Sequence, residues 1–469
     1  MINRKLRNII NNHKYLYIYY KKIIFISFLI LSLFKNNYFP VNDNLELNKS
    51  YLDIQLNLNL TFYNELKHKI KLGIYYQSIK NGGIERLTAL LLNYFNKEKI
   101  FNVYLLTQQP KEKNEYYVPI NIKRIIIKKK KNFLIHIIKK EEIDILIYHF
   151  YNYNEINSLN KLKTKIILYN NSCFFYWIYI HSYGLYKTTY NAYRKSKYVI
   201  SLVPFENDYL FKKWGINSIL MDNFIAYEYN SVIPSDLSSQ TILMIGRADD
   251  KLKRFKLGVE AMVNIIKEIP QCKMKIISDL NSIDYLKEII IILKLENNIE
   301  FVGYTPTPEI YYKNASLHIF PSISESFGLA LSETKIFGIP SILVGLDYLS
   351  IGKGGIVIIY DDNSVSISKE AIKILKNEKY RKKLGKEARR SMQKFKNKLL
   401  LKKWIKLILS IYNGYNYYEK LREEDQKISD IEAINILINQ IKLLKKRISN
   451  FKNITLQDIE NFTYMENIN

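Results

Sequence analysis

The chain is poor in glycine and cysteine for its length of 469 residues. It contains 16 glycines and two cysteines, Cys173 and Cys272. Two cysteines exclude a disulfide framework and a zinc site built from cysteines. The sequence also lacks a P-loop and the G-x-G-x-x-G turn, with its later acidic residue, that a nicotinamide cofactor requires. Because glycine is scarce, the few glycines that follow predicted strands become candidates for close contact with a ligand.

Acidic residues are also under-represented. The chain has 44 Asp and Glu against 71 Lys and Arg, which gives a net charge of +27. Such an excess is typical of proteins that bind nucleic acid, anionic membranes or phosphate-bearing substrates, but lysines on solvated faces produce the same value. The most basic run is residues 123–140. It indicates either docking to an anionic membrane surface or a lipid-phosphate acceptor, or an edge strand that lysines protect.

The N-terminus carries a short hydrophobic run, residues 23–34, after several Lys and Arg residues. As a helix it would span about 18 Å, less than the roughly 30 Å of a hydrocarbon core. The positive-inside rule keeps the N-terminus in the cytoplasm. We therefore predict a membrane-associated, single-pass protein with an N-terminal signal-anchor, in the endomembrane system if the source is eukaryotic. A helix lying on the membrane surface and a cleaved signal peptide are the alternatives.

The rest of the chain alternates buried strand patterns with helical ones, in two halves of similar size. This alternation predicts an α/β fold with two doubly wound parallel sheets, whose ligands bind at the carboxyl ends of the strands. The predicted parts are an N-terminal segment (1–40), a stem (41–67), a first domain (68–226), a polar linker (227–240), a second domain (241–412) and a charged helical tail (413–469).

The tail has apolar residues at heptad spacing, among them Ile434, Leu437 and Ile441. Three heptads are the minimum that indicates a coiled coil. The tail is therefore either a short coiled coil through which two chains associate or an amphipathic helix that packs on its own domain.

The segment PSISESFGLALSETKIFGIP, residues 321–340, places Glu325 and Glu333 eight residues apart around a predicted turn and helix start. Unpaired N–H groups and the helix dipole favour an anion there, and Gly328 allows close approach to the backbone. Ionised carboxylates accept hydrogen bonds from hydroxyl groups. The pattern indicates a ligand with sugar, phosphate and ribose parts, or else a helix whose acidic residues only complement its dipole.

Two further turns follow predicted strands. Arg247 comes directly after the Gly246 turn and Lys253 six residues later, a pattern that suits a clamp on a diphosphate. A plain basic loop is the alternative. Gly82 and Gly83 form a strand-to-helix turn in the first half, which predicts a second wall for phosphate.

These three segments, in this order, resemble glycosyltransferase family 4 over about residues 69–412. The resemblance implies a GT-B fold, in which two Rossmann-like domains face a cleft. It also implies a retaining, hexosyltransferase-type enzyme that moves a sugar from a UDP- or GDP-sugar to a glycan, lipid-linked or protein acceptor. The family needs neither a metal nor a cofactor.

The resemblance also implies roles for individual residues. Arg247 and Lys253 would hold the donor diphosphate, Glu325 would contact the sugar hydroxyls, and Glu333 would bind the ribose. The other implied donor-binding positions are Gly82, Gly83, Phe327, Gly328 and Leu329 near the phosphate, and Val302, Gly303 and Tyr304 near the base.

The sequence departs from the family where a histidine often follows a strand of the first domain. Asn170 and Asn171 stand there, His149 ends the preceding strand, and His181 follows. We predict Asn171 and His181 as candidates for the sugar and acceptor side, although a lone histidine is more often structural. Two other functions remain open: a catalytically inactive GT-B-like binding subunit and a nucleic-acid-binding protein, for which the sequence shows no recognised motif.

Overall fold

The computed structural model describes residues 68–80, 82–130, 132–169, 171–173, 183–207, 210, 216, 218–248, 250–279, 283–305, 307–414 and 430–449. The predicted N-terminal segment and stem, Asn170 and His181 lie outside the described residues.

The first sheet contains seven parallel strands in the order β3-β2-β1-β4-β5-β6-β7. Its elements along the chain are β1 (Ile70–Tyr76), α1 (Gly83–Asn96), β2 (Phe101–Thr107), β3 (Lys123–Ile126), α2 (Phe133–Glu141), β4 (Ile145–Tyr148), α3 (Tyr153–Leu159), β5 (Lys165–Tyr169), α4 (Tyr183–Lys195), β6 (Tyr198–Ser201) and β7 (Ser218–Leu220).

The second sheet contains six parallel strands in the order β10-β9-β8-β11-β12-β13. Its elements are β8 (Thr241–Ile245), α5 (Phe255–Glu268), β9 (Lys273–Ile277), α6 (Asp284–Ile292), β10 (Ile299–Phe301), α7 (Glu309–Tyr312), β11 (Leu317–Phe320), α8 (Leu329–Ile336), β12 (Ser341–Val344), β13 (Ile356–Ile359), α9 (Ser364–Lys376) and α10 (Glu378–Ser391). Both sheets therefore have the predicted doubly wound topology.

The strands are apolar on both faces because helices cover both sides of each parallel sheet. In β8, Ile242 and Met244 enter one core cluster and Leu243 enters the other. Helix α5 buries Val259, Met262 and Ile265 against the same sheet, at the spacing of one helical face. Burial of these side chains holds the carboxyl ends of the strands in fixed positions.

The chain returns to the first domain after α10. Helix α11 (Asn397–Asn413) buries Trp404, whose ring lies 5.6 Å from Phe95 and 5.5 Å from Tyr169. Although α11 falls within the range predicted for the second domain, it packs on the first sheet. The two domains are therefore joined by packing as well as by the linker.

The described part of the tail forms helix α12 (Asp430–Ser449), which packs on the second domain of the same chain. Leu437 and Leu443 are fully buried, and the Gln440 amide donates to the Gly345 carbonyl at 2.6 Å. Gly345 has no room for a side chain, since a Cβ there would lie 2.5 Å from Leu443. These contacts match the amphipathic-helix alternative and leave the predicted self-association unsupported.

The structure contradicts the predicted single-pass, signal-anchored topology. In the part of the chain that the structure describes, no helix combines the length and apolar content needed to cross a bilayer. The segment that suggested an anchor, residues 23–34, lies outside the described residues, and as a helix it would be only about 18 Å long.

Helix α8 carries a buried lysine, Lys335, whose ammonium donates to the carbonyls of Ile351 at 3.1 Å and Gly352 at 2.7 Å. Burial, followed by the charge of Lys394, lowers the pKa of Lys335 from its ordinary value of 10.5 to about 7. Between pH 7 and 10.5 the unfolded chain therefore binds this proton and the folded chain does not.

We expect the free energy of unfolding to rise with pH across this window, because the unfolded state binds more protons there. Substitution K335M removes the group, so the rise should become smaller than in the wild type. Urea titrations at several pH values measure it, with K267M on the exposed side of α5 as the control. If the free energy of unfolding rises equally steeply with pH in K335M and K267M, the lowered pKa of Lys335 is contradicted.

Candidate active site

The carboxyl ends of both sheets border one cavity of about 520 Å³ between the domains. Among its lining residues are most of those predicted from the sequence, namely Gly82, Gly83, Asn171, Arg247, Lys253, Tyr304, Glu325, Phe327, Gly328, Leu329 and Glu333. Val302 and Gly303 belong to the loop that follows β10 but do not line the cavity. Residues that are far apart in sequence thus meet at one place.

The turn before α8 is shaped by Gly328. This residue caps the helix in the left-handed conformation, with φ at +79°, and a Cβ there would lie 3.3 Å from that of Leu331. Phe327 anchors the turn in the core, 5.9 Å from the ring of Phe395. The Ser326 hydroxyl donates to the Asn171 carbonyl at 2.7 Å, which ties the turn to the first domain.

Helix α1 presents its own amino end to the same cavity. Gly82 caps it, and a Cβ at Gly82 would lie 1.9 Å from the Glu85 carboxylate. A Cβ at Gly83 would meet only Leu329, 3.9 Å away in the other domain. The amino ends of α1 and α8 therefore face each other, and both helix dipoles favour an anion between them.

The basic loop after β8 supplies the predicted cations. Its turn needs Gly246, whose φ is +137°. The Lys253 ammonium donates to the Glu325 carboxylate and lies 5.7 Å from the centre of the Phe320 ring. Arg247 is exposed at the cavity wall. Positive charge is thus available beside the two helix ends, and Lys253 is held in place by Glu325.

Glu333 is almost completely buried, with 1% of its side chain exposed. It accepts a hydrogen bond from the Tyr312 hydroxyl at 2.8 Å, and it lies 2.8 Å from the Arg86 guanidinium of the first domain. Burial raises the pKa of Glu333 above its ordinary value, while the charge of Arg86 and the Tyr312 hydrogen bond oppose the rise.

Asn171, the candidate for the sugar and acceptor side, has its amide held in a fixed position. Its Nδ2 lies 2.6 Å from His149 Nδ1 and donates to the Tyr169 carbonyl at 3.0 Å. Its Oδ1 is buried without a hydrogen-bond partner among the described residues. Burial lowers the pKa of His149 to about 3, so the ring is neutral and accepts from Asn171. His149 itself does not line the cavity.

Several cavity residues were missed from the sequence: Glu85, Arg86, Asn223, Asp279 and Tyr312. Asp279 follows β9, so the rule that ligands lie at the carboxyl ends of strands was sufficient to find it, whereas Asn223 follows β7, a strand too short to show a pattern in the sequence. Arg86 carried no such signal, because its partner Glu333 is 247 residues away.

Two parallel doubly wound sheets around a shared cleft define the GT-B class of glycosyltransferase folds. Residues 228–391 match the family model described as "Glycosyl transferases group 1". Over this range the chain is similar to the group 1 glycosyltransferases, and this similarity confirms the predicted resemblance.

A relative identified by its sequence also carries the name of a glycosyltransferase. The chain is 27% identical over 187 residues to the poly(glycerol-phosphate) alpha-glucosyltransferase of Bacillus subtilis, a match that covers 39% of this chain and 26% of that protein. It therefore spans about a quarter of that relative.

Two solved structures share the fold at low sequence identity. Sucrose-phosphate synthase from Thermosynechococcus elongatus has a TM-score of 0.63 at 14% identity, over 74% of this chain and 100% of that one. Anabaena HepE, solved in complex with UDP and glucose, has a TM-score of 0.60 at 13% identity, over 73% of this chain and 100% of that one.

We expect G328A to destabilise the protein by about 1–2 kcal/mol, because a side chain in the left-handed region is strained. It should also weaken the binding of nucleoside diphosphates, since the new methyl group crowds the mouth of α8. Urea denaturation and calorimetric titration measure the two effects.

The matched control is G414A, at φ +78° with nothing within 4 Å of the added methyl group. G414A should lower the free energy of unfolding through backbone strain but leave the affinity for nucleoside diphosphates unchanged. If both variants bind UDP and GDP equally well, Gly328 has no role at the ligand.

Proposed function

We propose that the protein is a retaining, metal-independent glycosyltransferase of the hexosyltransferase type. It transfers a sugar from a UDP- or GDP-sugar to a hydroxyl group of a glycan, lipid-linked or protein acceptor. The observation that carries this proposal is that the amino ends of α1 and α8 face each other across the cavity, with Lys253 and Arg247 beside them. Two carboxylates line the same cavity, Glu325 in the turn before α8 and Glu333 within α8.

The donor fits this arrangement part by part. The diphosphate lies between the amino ends of α1 and α8, where Arg247 and Lys253 neutralise its charge. Glu325 accepts hydrogen bonds from sugar hydroxyls, and Glu333 accepts them from the ribose. Asn171 offers its Oδ1, for which the described residues supply no hydrogen-bond partner, to a further hydroxyl on the sugar or acceptor side. Tyr304, half in solvent at the cavity rim, lies where the base emerges.

The chemical step exchanges one bond at the anomeric carbon for another. The bond from that carbon to the diphosphate oxygen breaks, and a bond to the acceptor oxygen forms on the same face. The acceptor proton passes to the departing phosphate oxygen, so the chain need not supply a base. Lys253, Arg247 and the two helix dipoles stabilise the negative charge that develops on the leaving group.

The comparisons support a hexose as the transferred sugar and retention of its anomeric configuration. The B. subtilis relative is named as an alpha-glucosyltransferase that acts on poly(glycerol-phosphate), and HepE was solved with UDP and glucose. Forming an α-glucoside from an α-linked nucleotide sugar keeps the anomeric configuration. A hexose donor and a hydroxyl-rich acceptor are therefore the first to test.

We expect K253A and E325A to lower kcat/KM by about 100- to 1000-fold, the usual cost of removing one group that stabilises the transition state. A panel of UDP- and GDP-sugars, assayed for transfer and hydrolysis, provides the measurement. K267A, on the exposed side of α5, is the matched lysine control.

EDTA should leave the rate unchanged, and NMR of the product should show retention. Wild-type rates in both variants would mean that the catalytic site lies elsewhere. Stabilisation by oligonucleotides alone would overturn the enzyme assignment.

A further inference from the structure

Arg86 reaches from the first domain to a carboxylate of the second. It lies in the first turn of α1, just after the Gly82–Gly83 turn. Its Nη1 is 2.8 Å from Glu333 Oε1 and donates to Oε2 at 3.0 Å. Only 22% of the Arg86 side chain and 1% of the Glu333 side chain are exposed. The pair is thus a nearly buried ion pair that joins the domains inside the cavity.

The two carboxylate oxygens of Glu333 are not equivalent. Oε2 accepts hydrogen bonds from Arg86 and from the Tyr312 hydroxyl. Oε1 is buried and has close contact with Arg86, but it has no partner with hydrogen-bond geometry among the described residues. Since Glu333 lines the cavity, Oε1 is an acceptor that a ligand hydroxyl can complete.

Aromatic rings fix the guanidinium in this position. Tyr116 of the first domain lies 6.0 Å from the Arg86 guanidinium carbon, and its ring contacts that of Tyr304 at 6.5 Å. Tyr304 belongs to the second domain, so this aromatic contact also crosses the cleft. Both rings line the cavity beside the ion pair.

We propose that Arg86 is a positioning residue for the nucleotide: it holds the Glu333 carboxylate so that Oε1 can accept a hydrogen bond from a ribose hydroxyl. The inference rests on the proposed function, because it concerns the same donor. It adds a requirement, since the ribose site is complete only when the first domain supplies Arg86.

The charges around Glu333 predict how the site depends on pH. Burial raises its pKa, the charge of Glu309 adds to the rise, and Arg86 and Tyr312 oppose it. Tyr227 also faces this cluster, and its hydroxyl donates to Glu309 at 2.9 Å. Without Arg86, the Glu333 carboxyl takes up a proton at a higher pH. Nucleotide binding should then weaken as the pH falls through that value.

The test measures Kd by calorimetry for UDP, GDP and their 2′-deoxy forms, at about pH 6 and about pH 8. The variants are R86M, R86K and E333Q. The control is R124M, which removes a half-buried arginine paired with Glu115 at 2.6 Å within the first domain. Thermal unfolding shows whether each variant is folded. If R86M is not folded, R86Q makes the same test.

We expect the wild type and R124M to prefer the ribonucleotide about tenfold over its 2′-deoxy form, the value of one hydrogen bond to a charged group. R86M should lose most of this preference. Its affinity relative to R124M should also fall from pH 8 to pH 6, because without the Arg86 charge the Glu333 carboxyl takes up a proton at a higher pH. R86K keeps the positive charge, so its nucleotide affinity should depend on pH as in the wild type. E333Q should lose the preference for the ribonucleotide at both pH values.

If R86M keeps the preference and the pH response of R124M, Arg86 is only structural and the inference is overturned, while the proposed function stands. If the wild type binds neither UDP nor GDP, the proposed function fails and the inference fails with it.

Discussion

The amino ends of α1 and α8 face each other across one cavity, and most of the site follows from that constraint. The amino ends of the two helix dipoles create a positive potential between them, and basic side chains add to it. Gly328 caps α8 in the left-handed conformation that favours glycine, and a Cβ at Gly83 would enter the gap between the two helix ends, 3.9 Å from Leu329. The parallel strands below fix both helices, because each helix begins where a buried strand ends.

Two of the cations that line the cleft contact carboxylates. Lys253 contacts Glu325, and Arg86 contacts Glu333. Each carboxylate that we assign to hydroxyl groups is thus held by a cation at the lining of the cavity. The net charge of +27 contributes little to this local arrangement. Much of it belongs to lysines on solvated faces, where single ion pairs add about 0–1 kcal/mol.

The sequence was sufficient to predict the sheets and the diphosphate region, because both depend on local patterns. Runs such as ILMI at residues 242–245 of β8 are apolar throughout, and a turn glycine, Gly246, follows this one. Strand β7 was missed because its three residues are too short to show a period. The ion pair of Arg86 with Glu333 was missed for a different reason: contact between distant residues depends on how two complete domains pack, which no local pattern contains. The predicted membrane anchor failed because a basic stretch before a short apolar run is a weak signal.

The two places where the chain crosses between the domains lie side by side. The Asn397 side chain accepts from the Ile225 backbone N–H at 3.0 Å and donates to its carbonyl at 2.8 Å, and it also donates to Glu228. The outgoing linker and the returning α11 are therefore fastened to each other. A movement that opened the cleft about this junction would separate Arg86 from Glu333 and would leave the Asn397 contacts and the Trp404 packing in place.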